Sequence, residues 1–74
     1  MPWGNVTITG QDGQDIYIDG NYGAPAGKAP GPFVVTYGTH TFETLKNGGA
    51  IACTGDATVD ATHRDVTIAL TPVP

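Results

Sequence analysis

The sequence predicts an all-β domain, a small antiparallel β-sandwich of about six strands. Three observations predict it. Apolar residues recur at every second position in short runs, the period of a half-buried strand. The chain has eleven glycines and six prolines, which break those runs at short intervals. It has eleven threonines and no serine, and threonine is β-branched and fits a pleated surface. Leucine occurs twice, and no stretch carries a helical period.

The first run, "NVTIT", places Val6 and Ile8 on one face and Thr7 and Thr9 on the other. "GQDG" (residues 10–13) is turn chemistry. "DIYID" then points Ile16 and Ile18 inward and Tyr17 and Asp19 outward. Asp19-Gly20 is a turn signal, because glycine accepts a positive φ without a Cβ clash. Residues 20–32, "GNYGAPAGKAPGP", contain four glycines and three prolines. Proline lacks the amide hydrogen that a ladder needs, so this segment cannot be a central strand. It is expected to be one long connection between sheets.

"FVVTY" resumes with Phe33, Val35 and Tyr37 sharing a face, and Gly38 turns the chain. In "THTFETLK", His40, Phe42 and Thr44 lie on one side and Thr41, Glu43 and Leu45 on the other. Phe42 assigns the core to the first set, and Leu45 dissents. Asn47-Gly48-Gly49 is another turn. Ile51 and Cys53 then share a face, Ala57 and Val59 point inward, and "ATHRD" turns. "DVTIALTPV" closes the chain with Val66, Ile68 and Leu70 toward the core. Strands spaced about 8 to 12 residues apart with turns between them fit a sandwich or partial barrel.

A chain of 74 residues makes one domain, expected over residues 1–74. At this size only about 60% of the unfolded surface is buried, so the core is thin and a large cofactor would consume much of it. The net charge is −4, and Lys28, Lys46 and Arg64 are the only fixed cations. Nucleic acid binding needs several phosphate contacts, so nucleic acid is not an expected partner. Anionic membrane surfaces are disfavoured for the same reason. No apolar run approaches the roughly 20 residues of a membrane span, and the start "MPWGN" does not read as a signal peptide. Cys53 stands alone, which leaves no internal disulfide and fits either the cytoplasm or a surface domain. Asn5-Val6-Thr7 fits a glycosylation sequon, a pattern too short to carry weight.

Four pieces together resemble the PEGA domain, a small β-sandwich of bacterial proteins related to prealbumin-like and carboxypeptidase-regulatory-like modules. They are "IYIDG" (Ile16 to Gly20), "GAP" (Gly23 to Pro25), "YGTHTFE" (Tyr37 to Glu43) and "VTIAL" (Val66 to Leu70). The resemblance covers residues 5–73. It implies a sandwich, and a structural or interaction module attached to other domains. It carries over no catalytic residue.

The candidate sites are few. Asp12, Asp15 and Asp19 lack the spacing of a calcium loop and read as solvated turn carboxylates. His40, Cys53 and His63 are separated by 13 and 10 residues, without a paired zinc motif. His40 reads as a strand residue at the rim of the core, His63 as a wet turn residue and Cys53 as a small buried hydrophobe. No metal, cofactor or catalytic residue is therefore expected. Trp3, Tyr17, Tyr22 and Tyr37 are the possible ligand or partner contacts: exposed aromatics could stack on carbohydrate, or could simply cover sheet ends. Sheet edges are the other candidate, since unpaired strands recruit strands. "NVTIT" and "DVTIALT" are the expected edges. The sequence thus points to a non-enzymatic spacer, adhesion or assembly unit that contacts a protein partner or itself. Carbohydrate recognition, or a small self-assembling component of a phage or secretion particle, are the alternatives.

Overall fold

The computed structural model describes residues 2–73; Met1 and Pro74, which the expected domain included, lie outside the described residues. The eight strands are β1 (Trp3–Thr9), β2 (Asp15–Ile18), β3 (Gly27–Lys28), β4 (Phe33–Thr36), β5 (Gly38–Leu45), β6 (Ile51–Val59), β7 (Asp65–Ala69) and β8 (Thr71–Pro72). They form a three-stranded sheet, β4-β1-β7, and a five-stranded sheet, β3-β2-β5-β6-β8. The fold is all-β. Every neighbouring pair is antiparallel except β1 and β7, which run parallel from Asn5↔Asp65 to Thr9↔Ala69.

Alternation builds the core. Val6 and Ile8 from β1 and Phe33 and Val35 from β4 are buried on the inner face of the small sheet. Ile16, Phe42, Ala57 and Val59 meet them from the large sheet, and Leu70 closes the seam as the chain passes from β7 to β8. Phe33 and Phe42 pack across the two sheets, ring centroids 6.4 Å apart and tilted by 50°. Such a pair contributes about 0.5–1.5 kcal/mol beyond its area.

The glycine- and proline-rich segment does cross from one sheet to the other, but it is not structureless. Gly27–Lys28 pairs with Asp15 and Ile16 as an edge strand. Pro30 then offers its carbonyl to the Ile8 amide at 3.0 Å, stitching the segment to β1. Gly31 is held at φ +90°, where a Cβ would lie 2.8 Å from the Phe33 ring. Only glycine lets the backbone wrap that ring.

The Leu45 anomaly has a physical cause. The β5–β6 register shifts between Thr44 and Leu45, so that Thr44 pairs with Cys53 and Leu45 with Ile51. A bulge of this kind moves a side chain off its simple alternation. Asp19 and Gly20 both have positive φ, 55° and 73°, and Asn21 N donates to the Ile18 carbonyl at 3.1 Å. This is the primed turn that the Asp-Gly pair signals.

Candidate interaction surface

One expected edge is corrected. β1, the "NVTIT" run, lies at the centre of its sheet between β4 and β7. Alternation specifies which side chains a strand buries but not which strands flank it, so the sequence could not exclude a central place. β7, the start of "DVTIALT", is an edge.

The sheet edges differ in how they are guarded. β3 and β8 are two residues each, and β8 ends in Pro72. β4 follows Pro32, and its Thr36 carbonyl accepts a 2.7 Å hydrogen bond from His40 Nε2. β7 reads Asp65-Val66-Thr67-Ile68-Ala69, without proline, glycine, lysine or bulge. Shortness, proline, charge and covering groups are the usual guards of an edge. Of these β7 has only the charge of Asp65 at its start.

The ladder shows which backbone groups of β7 are free. The Arg64 carbonyl accepts from Asn5 N at 2.7 Å. In a parallel ladder only alternate residues of a strand bond to a given neighbour. Val66 and Ile68 therefore continue the bonding toward β1, and Asp65 and Thr67 aim their amides and carbonyls away from it, while the Ala69 carbonyl lies over β6, 3.4 Å from where a Cβ on Gly55 would stand. Among the described residues no other backbone group pairs with the Asp65 and Thr67 amides.

The outer face of the same sheet is partly apolar. Trp3 and Val34 are its exposed large hydrophobics, 41% and 67% accessible. Trp3 pairs with Thr36 and Asn5 with Val34, which places both side chains on neighbouring strands of one face. At the start of β7 a half-open cavity of about 270 Å³ is lined by Gly4, Asn5, Arg64 and Asp65. Asn5 Nδ2 donates to Asp65 Oδ1 there at 3.1 Å.

The four aromatics divide into two places. Trp3 and Tyr37 lie near each other along β1 and the end of β4, where Tyr37 N donates to the Pro2 carbonyl at 2.9 Å. Tyr17 and Tyr22 meet on the other sheet, ring centroids 6.2 Å apart and tilted by 51°. They do not form one flat platform. Glu43, paired with Tyr17 in the ladder, is buried at 6% accessibility, and the Tyr22 hydroxyl donates to its Oε1 at 2.5 Å. That bond, with burial and the nearby charge, pushes the Tyr22 phenol above its ordinary value of 10.0.

The metal candidates are engaged separately. His40 Nδ1 meets Asp19 Oδ2 at 2.6 Å, Lys28 Nζ meets Asp15 Oδ1 at 2.7 Å, and Cys53 Sγ accepts from Gln11 Nε2 at 3.7 Å. His63 is exposed in its turn beside Asp60, whose carboxyl is held at about 2, first by hydrogen bonds from Thr62. Among the described residues no three His, Cys, Asp or Glu side chains group around a metal position, and no helix is long and apolar enough to cross a membrane.

Comparison with family models, with curated proteins and with solved structures returns no match.

Proposed function

We propose that this chain is a non-enzymatic interaction module, a PEGA-like spacer or assembly unit that docks a partner strand along a sheet edge. One observation carries the reading: β7 presents the outward backbone groups of Asp65 and Thr67 on a sheet edge with no proline, glycine or bulge. An added strand would satisfy those groups by main-chain hydrogen bonds and extend the sheet, the mode of β-augmentation. Trp3 and Val34 on the adjoining face add apolar contact area. The two imidazoles and the thiol are each tied to a different neighbour, which supports a role without nucleophilic chemistry.

The test is a titration of the isotope-labelled protein with synthetic extended peptides of alternating Val and Thr, followed by backbone amide shifts. Shifts concentrated at Asp65 and Thr67 support strand docking. A spectrum that responds neither to any such peptide nor to its own concentration contradicts it.

A further inference from the structure

We infer that Asn47-Gly48 is a self-modifying turn, a site where Asn47 deamidates spontaneously to isoaspartate and aspartate through a cyclic imide. The turn joins β5 to β6 and takes no part in the docking of a strand at β7.

Three features of the loop carry this. The first is exposure: Lys46, Asn47, Gly48, Gly49 and Ala50 are all open to solvent. The second is an amide left free. Lys46 N donates to the Ala50 carbonyl at 2.7 Å and Gly49 N to the Lys46 carbonyl at 3.0 Å, closing the loop on both sides of Gly48. Among the described residues the Gly48 amide itself donates to no backbone carbonyl. The third is room. Gly48 has φ +94° at the third position of this turn, a place that type II turns give to glycine. A Cβ at Gly48 or Gly49 would meet nothing within 4 Å. Without a side chain, glycine leaves its own nitrogen unhindered and its backbone free to swing toward the preceding carboxamide.

Hydroxide takes the Gly48 amide proton, and the nitrogen attacks Asn47 Cγ. The N–Cγ bond forms, the Cγ–Nδ2 bond breaks, and Nδ2 leaves as ammonia after taking a proton from water, which restores the hydroxide. Water then opens the imide. Opening at Cγ leaves aspartate. Opening at the Asn47 main-chain carbonyl leaves isoaspartate, whose main chain runs through the former side chain and gains a methylene. Either product adds one negative charge beside Lys46 to a chain of net charge −4.

The comparable positions are engaged. Asn5 lies in the central strand β1, and its Nδ2 donates to Asp65. The amide after Asn21 is that of Tyr22, which donates to the Gly20 carbonyl at 3.0 Å. Gly13 N, after Asp12, donates to the Ala29 carbonyl at 3.1 Å. Asp19, before Gly20, has its carboxylate bonded to His40 and to Thr41 N.

Incubation of the full chain in heavy-oxygen water at mildly alkaline pH, followed by peptide mapping with mass spectrometry, tests this. The same chain unfolded in guanidinium chloride supplies the reference rate. The native chain should lose the Asn47 carboxamide at a rate comparable with the unfolded chain, rising in proportion to hydroxide. It should take up heavy oxygen at position 47 and shift by one negative charge on isoelectric focusing, while Asn5 and Asn21 stay intact. The isoaspartate form should keep its circular dichroism spectrum and exchange its Lys46 and Gly49 amides faster, because the longer main chain breaks the bonds that close the loop. Asn47→Gln, whose longer side chain must close a larger ring, should abolish the charge shift without altering the main chain. An Asn47 that stays intact in the native chain after the unfolded chain has converted overturns the inference, and so does a charge shift that persists in Asn47→Gln.

Discussion

His40 is clamped between Asp19 and Thr36. Its Nδ1 stands 2.6 Å from Asp19 Oδ2 and its Nε2 stands 2.7 Å from the Thr36 carbonyl. Both partners are acceptors, so the ring makes both bonds only when both nitrogens carry protons. The clamp joins the turn after β2, β5 itself and the end of β4, and so ties the two sheets at one end of the sandwich. Asp19 Oδ1 also accepts from Thr41 N at 3.0 Å, and the Thr41 hydroxyl donates to Asp56 at 2.9 Å.

This clamp makes stability depend on pH. The hydrogen bond to Asp19 raises the His40 pKa above 6.5, outweighing the effect of burial. A raised folded value means the contribution is complete below the ordinary imidazole pKa and is lost as pH rises through the folded one. Asp19 is lowered below 3.8, first by His40, so its contribution is present above that value and is lost as pH falls through the lowered one. Asp19 is half-exposed, and solvent screening keeps the effect on the order of 0.5–1 kcal/mol. Urea midpoints should fall between about pH 5 and about pH 9. His40→Gln should flatten that slope, whereas an unchanged slope in this variant would remove the clamp from the account.

Tyr22→Phe deletes the hydroxyl that donates to buried Glu43. Leaving a buried acceptor unpaired costs about 1–3 kcal/mol. Chemical denaturation should show that loss. Glu43→Gln, which keeps an acceptor oxygen for the phenol, should lose less. Equal stability of Tyr22→Phe and the parent chain would mean that water serves Glu43 as well as the phenol does.

Gly4 has no room for a methyl group. A Cβ there would lie 2.3 Å from the Arg64 carbonyl and 2.7 Å from Val59 Cγ1. The same carbonyl anchors β7 to β1 through Asn5 N. Gly4→Ala should therefore destabilise by about 1–3 kcal/mol and loosen the start of β7. Differential scanning calorimetry reads the first effect and amide exchange at Val66 the second. A melting temperature equal to that of the parent would show that the β7 approach is adjustable.

Much of the sandwich was legible because burial here follows a period of two. Val6, Ile8, Ile16, Phe33, Val35, Phe42, Ala57 and Val59 are all core residues named by alternation. The Asp19-Gly20 turn was legible because both positions require positive φ. Long-range pairing was not. Nothing local says that the first long strand and the Asp65 strand run parallel as neighbours, and this hid the central place of β1. β3 was hidden because it is two residues long within a glycine- and proline-rich run. Glu43 read as an outward polar residue, and its burial depends on Tyr22, which lies in a turn 21 positions away. His40 and Asp19 were each read correctly in their own place, at the core rim and in a turn. Their meeting depends on the β2–β5 register, which no local pattern encodes.

The free edge of β7 is tested most directly by residue-resolved amide hydrogen exchange in dilute solution. Val66 and Ile68, bonded toward β1, should exchange slowly, while Asp65 and Thr67 should exchange near the rate of open chain. Slow exchange at all four positions in a monomer would mean that the edge is already covered, and the interaction reading would fall with it.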